Sequence, residues 1–142
     1  MLKLWTSEKR HGSRGANVIE DYLVVALGGF VGAPSRYLLD RAVNRRIESD
    51  LPWGTFLVNI SGSFLLGFLT GLSLGNHLAP TAKLLLGTGF CGAYTTFSTF
   101  SFETLRLIEV GQILEAALNA AASLVVGLFG AAAGVALGLA LK

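Results

Sequence analysis

The chain alternates between long apolar stretches and short clusters of charge. No Asp, Glu, Lys or Arg occurs from Leu51 to Ala82 or from Ala116 to Leu141, and none lies between Lys83 and Glu103. An apolar run of about 20 residues, rising about 1.5 Å per residue, crosses the roughly 30 Å hydrocarbon layer as a helix. The pattern predicts an all-α chain: a polar N-terminal tail over 1–17, then a four-helix membrane domain over 18–142, with helices at about 17–39, 52–74, 81–107 and 112–141. The charged connection DRAVNRRIESD occupies 40–50, and Pro52 opens the second helix. GNHLAP at 75–80 closes that helix, since Gly, Asn and Pro in succession stop a helix.

The third span is irregular. GTGFCGAYTTFSTFS, residues 87–101, is too uncharged for a surface loop and too rich in glycine and hydroxyls for an ordinary helix. Glycine in a helix interior costs about 1 kcal/mol relative to alanine, so an interruption is expected near Gly92 to Thr95. Interrupted backbone at membrane depth persists only where protein or a cavity satisfies the freed groups. Two readings stand side by side: a simple kink, or a site at which freed carbonyls bind a cation, as in transporters with discontinuous helices.

Polar residues elsewhere recur at helical spacing. Phe97 and Phe100 share a face beyond the interruption, as do Thr95 with Thr99 and Ser98 with Ser101; Thr55, Asn59, Ser63 and Thr70 run down the second helix, and Asn119 and Ser123 lie on the fourth. Isolated hydroxyls in membrane helices usually bond their own i−4 carbonyl. An amide and hydroxyls on several helices can instead replace part of an anion's hydration shell without trapping it, and phenylalanine ring edges carry positive character. This pattern suits a narrow path for a small anion better than a cation filter. Gly28 and Gly32, then Gly67, Gly71 and Gly75, then Gly130, Gly134 and Gly138 recur every four residues. Such small-residue faces allow close helix packing in lipid, and four such helices are too few to enclose a roomy pore, which points to an oligomer.

Composition agrees with a lipid setting: 52 % of the 142 residues are hydrophobic and 14 % charged, against about 25 % charged in soluble domains, with mean hydropathy +0.60. The net charge of +2 is too small to argue for nucleic acid. Cys91 is the single cysteine, so no intrachain disulfide forms. The N-terminus lacks the short apolar core of a secretory signal peptide. Four spans place Lys3, Lys9, Arg10, Arg14, Lys83 and Lys142 on one side and Arg36, Arg41, Arg45, Arg46 and Arg106 on the other. This balance does not orient the chain by the positive-inside rule. Either the tail or a chaperone decides, or the chain inserts both ways and pairs antiparallel with itself.

Arg36 near the end of the first helix either snorkels to the interface or holds anions at a pore mouth. GTGFCG at 87–92 matches a dinucleotide fingerprint, but no βαβ unit surrounds it. Asn59-Ile60-Ser61 matches a glycosylation sequon inside a span, where the transferase has no access. No nucleophile–base–orienter set is present, so the chain is not read as an enzyme. A small dual-topology multidrug-type antiporter and a non-conducting assembly subunit are the rival classes. The former is opposed by the lack of acidic residues between Tyr22 and Leu39 and in the second helix.

GAPSRY at 32–37, PWGTFLVNISGSFLLG at 52–67 and GFCGAYTTFSTFSFE at 89–103 resemble the Fluc-type (CrcB) fluoride channel family, over about residues 22–141. The resemblance implies an antiparallel, dual-topology homodimer in the bacterial inner (plasma) membrane. Its two pores would pass fluoride and reject chloride, lowering cytoplasmic fluoride and conferring resistance. It also implies a structural sodium ion at the helix 3 break, bound by backbone carbonyls at positions matching Gly92 and Thr95. Matching positions for the fluoride pathway are Phe97, Phe100, Asn59, Thr96, Ser98, Thr99 and Ser123, with Arg36 at the vestibule. The chain departs from the family pattern at Asn119, where relatives often carry an aromatic hydroxyl, at Gly127, where a polar residue is usual, and at Ala93, which leaves the break one glycine fewer.

Overall fold

The computed structural model describes the backbone of residues 2–47 and 49–141 and the side chains of residues 17–47 and 49–141. Every regular element among them is helical: α1 (Leu2–Asn44), α2 (Trp53–Leu74), α3 (residues 80–94), α4 (Phe97–Glu109) and α5 (Ile113–Ala140). Three helices are long and apolar enough to cross a membrane: α1 from Asn17 to Asn44, α2, and α5. The chain is thus a multi-pass membrane protein by its helices. The apolar sequence expected to form one further helix is divided between α3 and α4.

Helix α1 extends further at both ends than the apolar pattern alone suggests. It begins at Leu2, so the polar stretch joins the span without a change of backbone, and it carries Pro34 in its interior. At the other end the charged residues stay helical because they bond one turn apart. Arg41 Nη1 donates to the Tyr37 hydroxyl at 2.6 Å, and Asn44 Nδ2 donates to Asp40 Oδ1 at 3.0 Å. Asn44 Oδ1 also accepts from the Gly54 N–H at 3.0 Å. One of the orphan donors at the start of α2 is thereby satisfied from α1, where the Pro52 cap offers no side-chain acceptor.

Helices α2 and α4 stop by the same device. Asn76, with φ of 58°, follows α2, and the His77 N–H reaches back to the Leu72 carbonyl at 2.9 Å. Gly111, with φ of 84°, follows α4, and the Gln112 N–H reaches the Leu107 carbonyl at 2.8 Å. In both, one left-handed residue lets the chain bond the helix's last free carbonyls and reverse.

The helices pair most extensively as α2 with α5 and α1 with α3. Backbone contact explains the choice of glycine at the seams. A Cβ at Gly89 would lie 2.6 Å from the Val25 carbonyl oxygen, and one at Gly28 would strike the Leu85 carbonyl. Across the other seam, a Cβ at Gly67 would strike the Ala131 carbonyl, and one at Gly138 would meet the Phe68 carbonyl and the Leu72 nitrogen. Gly71 and Gly134 belong to this seam too, whereas Gly130 has room to spare and Gly75 lies past the end of α2. The fully buried core is small, Val58 and Cys91 being its largest members, while Phe30, Phe97 and Phe129 are more than 70 % exposed. An apolar exterior of this kind is built for lipid or for a second chain.

Candidate functional site

The third apolar stretch changes its hydrogen bonding before it ends. Pro80 starts it at a position where a missing N–H costs nothing, Lys83–Cys91 is π-helical, and Gly92–Tyr94 returns to α-helix. Thr95 (φ −76°, ψ 157°) and Thr96 (φ −148°, ψ 122°) are extended, and α4 begins at Phe97. Gly92 itself is helical, with φ of −63° and ψ of −35°.

Side chains from other helices satisfy this two-residue step. Asn59 of α2 pairs with the backbone of Thr96: Thr96 N–H donates to Oδ1 at 2.8 Å, and Nδ2 donates to the Thr96 carbonyl at 3.0 Å. In an unbroken helix the Thr96 N–H would donate to the Gly92 carbonyl. Here that carbonyl loses its donor, and the space where a Gly92 side chain would project is empty to 4 Å. Immediately before the step, the buried Tyr94 stacks on Phe90 with centroids 5.4 Å apart, and its hydroxyl lies 2.8 Å from Ser61 Oγ. Gly62 leaves room for the Thr95 methyl, which would collide with any Cβ there.

Thr96 then caps α4. Its hydroxyl accepts from the Thr99 N–H at 3.2 Å and lies 3.1 Å from Thr99 Oγ1 and 3.2 Å from Ser98 Oγ, so three hydroxyls gather at one helix N-terminus. Two cavities flank the cluster. One of about 260 Å³ is lined by Asn59, Ser63, Thr95, Thr96, Phe97 and Phe100 among others, and the two phenylalanine rings lie 6.0 Å apart at 41°. The other, about 200 Å³, is lined by Arg36, Asp40, Thr55, Thr96 and Thr99 among others. Arg36 is half-buried, and its Nη1 donates to the Thr95 carbonyl at 3.5 Å, so its head group turns toward the step.

Asn59, Thr95, Thr96, Ser98, Thr99, Phe97, Phe100 and Arg36 therefore meet around one step in the backbone, with Gly92 one turn away. Ser123 stands apart. It is half-buried on α5 and lines neither cavity. Asn119, one turn before it, is buried and donates to Thr104 Oγ1 at 2.8 Å, tying α5 to α4. The sequence gives no local signal for that pair or for the Ser61–Tyr94 contact, since each partner looks like an isolated polar residue in its own helix. Glu103 lines a larger cavity of about 610 Å³ with Asp50, Arg106 and Gln112, and its buried Oε2 has no hydrogen-bond partner among the described residues. Among those residues no group of three or more His, Cys, Asp or Glu side chains could hold a metal ion.

Comparison with known proteins shows the family of the chain. Residues 23–135 match the family described as "CrcB-like protein, Camphor Resistance (CrcB)". The chain belongs to the CrcB family. It is 52 % identical over 115 residues to "Fluoride-specific ion channel FluC 1" of Streptomyces avermitilis, a match covering 81 % of this chain and 93 % of that relative. It is 50 % identical over 120 residues to "Fluoride-specific ion channel FluC 1" of Frankia casuarinae, covering 80 % and 91 %. With "Fluoride-specific ion channel FluC" of Shewanella sp. (strain ANA-3) the identity is 47 % over 111 residues, covering 78 % and 90 %. The CrcB match contains the whole step, the cavities on either side of it, and Arg36.

Proposed function

We propose that this CrcB protein is a fluoride channel that lets fluoride leave the cytoplasm passively across the inner membrane and thereby confers resistance. The observation that carries the reading is the meeting of Phe97, Phe100, Asn59 and the Thr96–Ser98–Thr99 hydroxyls around one step in the backbone, in a chain about half identical to proteins named as fluoride-specific channels. Fluoride is small and strongly hydrated, so a narrow path has to replace its water with close donors that carry no fixed charge. Hydroxyls, the free second hydrogen of the Asn59 amide and the positive edges of the two phenylalanines supply them. A larger halide would have to push the rings apart. Arg36 draws anions toward the mouth.

In this reading α3 and α4 together make the fourth crossing, and two chains associate antiparallel to give two pores. The exposed ring of Phe97, 80 % accessible in the single chain, then faces the second subunit, and Ser123 completes the path from α5. A structural sodium ion fits the donors at the break. The Gly92 carbonyl has lost its helical donor, and carbonyl oxygens beside unwound backbone are suitable neutral ligands. Gly92 and Thr95 would supply one such oxygen each per chain, the Thr95 oxygen also accepting from Arg36 Nη1 at 3.5 Å, and an antiparallel partner would double the set. When bound, the ion would neutralise converging carbonyl dipoles and hold the two steps together.

Growth of a fluoride-hypersensitive bacterium expressing the chain tests the role in the cell. Rescue by the wild type on fluoride medium, weakened by Phe97→Ile and Phe100→Ile at equal membrane levels, is the expected result. No rescue by well-inserted wild-type protein would contradict the reading.

A further inference from the structure

We infer that Asn59 is a positioning residue for the cation site, because its carboxamide is the group that removes the Thr96 N–H from the Gly92 carbonyl. The inference rests on the proposed role of that carbonyl as a sodium ligand. It gives Asn59 a second task besides lining the anion path.

The geometry is specific to asparagine. The Thr96 peptide groups present one donor and one acceptor, and the Asn59 amide answers both, at 2.8 Å and 3.0 Å. A carboxylate in the same place would accept from the N–H but set oxygen against the Thr96 carbonyl, and an apolar residue would answer neither group. A buried N–H left without an acceptor is costly. In a closed helix its acceptor is the Gly92 carbonyl four residues back, so the change that unpairs Thr96 favours closing the helix over the cation ligand. The neighbouring contacts act on other atoms: Ser61 reaches the Tyr94 hydroxyl, and Gly62 accommodates the Thr95 methyl. Asn59 alone, among these α2 residues, bonds the backbone of the step. One carboxamide therefore supports the cation site through the Thr96 N–H, while the side-chain hydroxyl of the same Thr96 heads the Ser98–Thr99 cluster on the anion side.

The test reads cation binding without ion flux. The full-length chain, purified in detergent, is melted across a sodium chloride series at constant ionic strength, with N-methylglucamine chloride as the balancing salt. Wild type should show a rise in Tm that sets in near the dissociation constant for sodium and then grows with the logarithm of its concentration. Asn59→Ala and Asn59→Leu, which answer neither Thr96 group, should move that onset to about tenfold higher sodium, the change equivalent to losing about 1.4 kcal/mol of buried hydrogen bonding. Ser61→Ala, which disturbs the same helix contact without touching Thr96, should keep the wild-type onset. Asn59 variants with the wild-type onset would overturn the inference and leave the sodium site standing. A wild type indifferent to sodium would overturn the site on which it rests. Should the Asn59 variants fail to fold, hydrogen exchange of the wild-type Thr96 amide decides: strong protection is expected, and exchange at the rate of an unbonded amide would overturn the inference.

Discussion

Phe97 and Phe100 carry the anion side of the account. Their rings are tilted neighbours at 6.0 Å on the wall of a cavity that also holds the Asn59 amide. Favourable aromatic contacts of this kind are worth about 0.5–1.5 kcal/mol, and 1.36 kcal/mol corresponds to about a tenfold change in rate. Each of Phe97→Ile and Phe100→Ile should therefore lower fluoride flux by up to about tenfold while the protein still assembles. Unchanged flux in both purified variants would remove the rings from the path. At Arg36 the guanidinium meets the Thr95 carbonyl at 3.5 Å. Arg36→Ala should shift the flux–concentration curve to higher fluoride and leave the fluoride-to-chloride preference intact. A curve that does not move would assign Arg36 to backbone support alone.

At the level of elements, packing is governed by places where two backbones touch. Gly67 and Gly71 of α2 meet Gly134 and Gly138 of α5, and a side chain at any of them would run into the opposing main chain. Gly134→Val should destabilise the protein by about 1–3 kcal/mol, the usual range for overpacking. The same change at Gly130, where Ile60 O lies 3.6 Å from an added Cβ, should cost less. Equal losses of Tm at the two positions would contradict the seam. The glycine spacing that makes this contact was legible in the sequence, as were the long uncharged runs that become α2 and α5. The exact place where the third stretch opens was less so. Gly92 marks local weakness, yet it is helical, and the extended residues are Thr95 and Thr96. The Thr96 backbone pairs with Asn59, thirty-seven positions earlier in the chain, and no local pattern encodes that pairing. The length of α1 was hidden for a related reason. Asp40, Arg41 and Asn44 look like a charged connection, but they bond one turn apart and to Gly54, which keeps the helix going.

The whole molecule presents an outer surface crowded with apolar side chains and a small interior. Phe97 projects from its eight-residue meeting point around the step, and no atom lies within 4 Å of a Cβ added at Gly92. Both features fit a chain that is completed by another copy, and the nearly even distribution of Lys and Arg suits insertion in either orientation. Ser49→Cys, placed in the α1–α2 connection of a Cys91→Ser chain, reads the orientation directly with a membrane-impermeant maleimide. Partial labelling from each face of the cell membrane is expected. Labelling from one face only would mean a fixed orientation and would require a different chain as the antiparallel partner. The central claim, selective passage of fluoride, is tested most directly by proteoliposomes containing only this purified chain. Fluoride efflux is followed with a fluoride electrode beside a matched chloride experiment. Rapid fluoride release with no chloride release is the predicted result; release of both ions, or of neither from folded protein, would contradict the account.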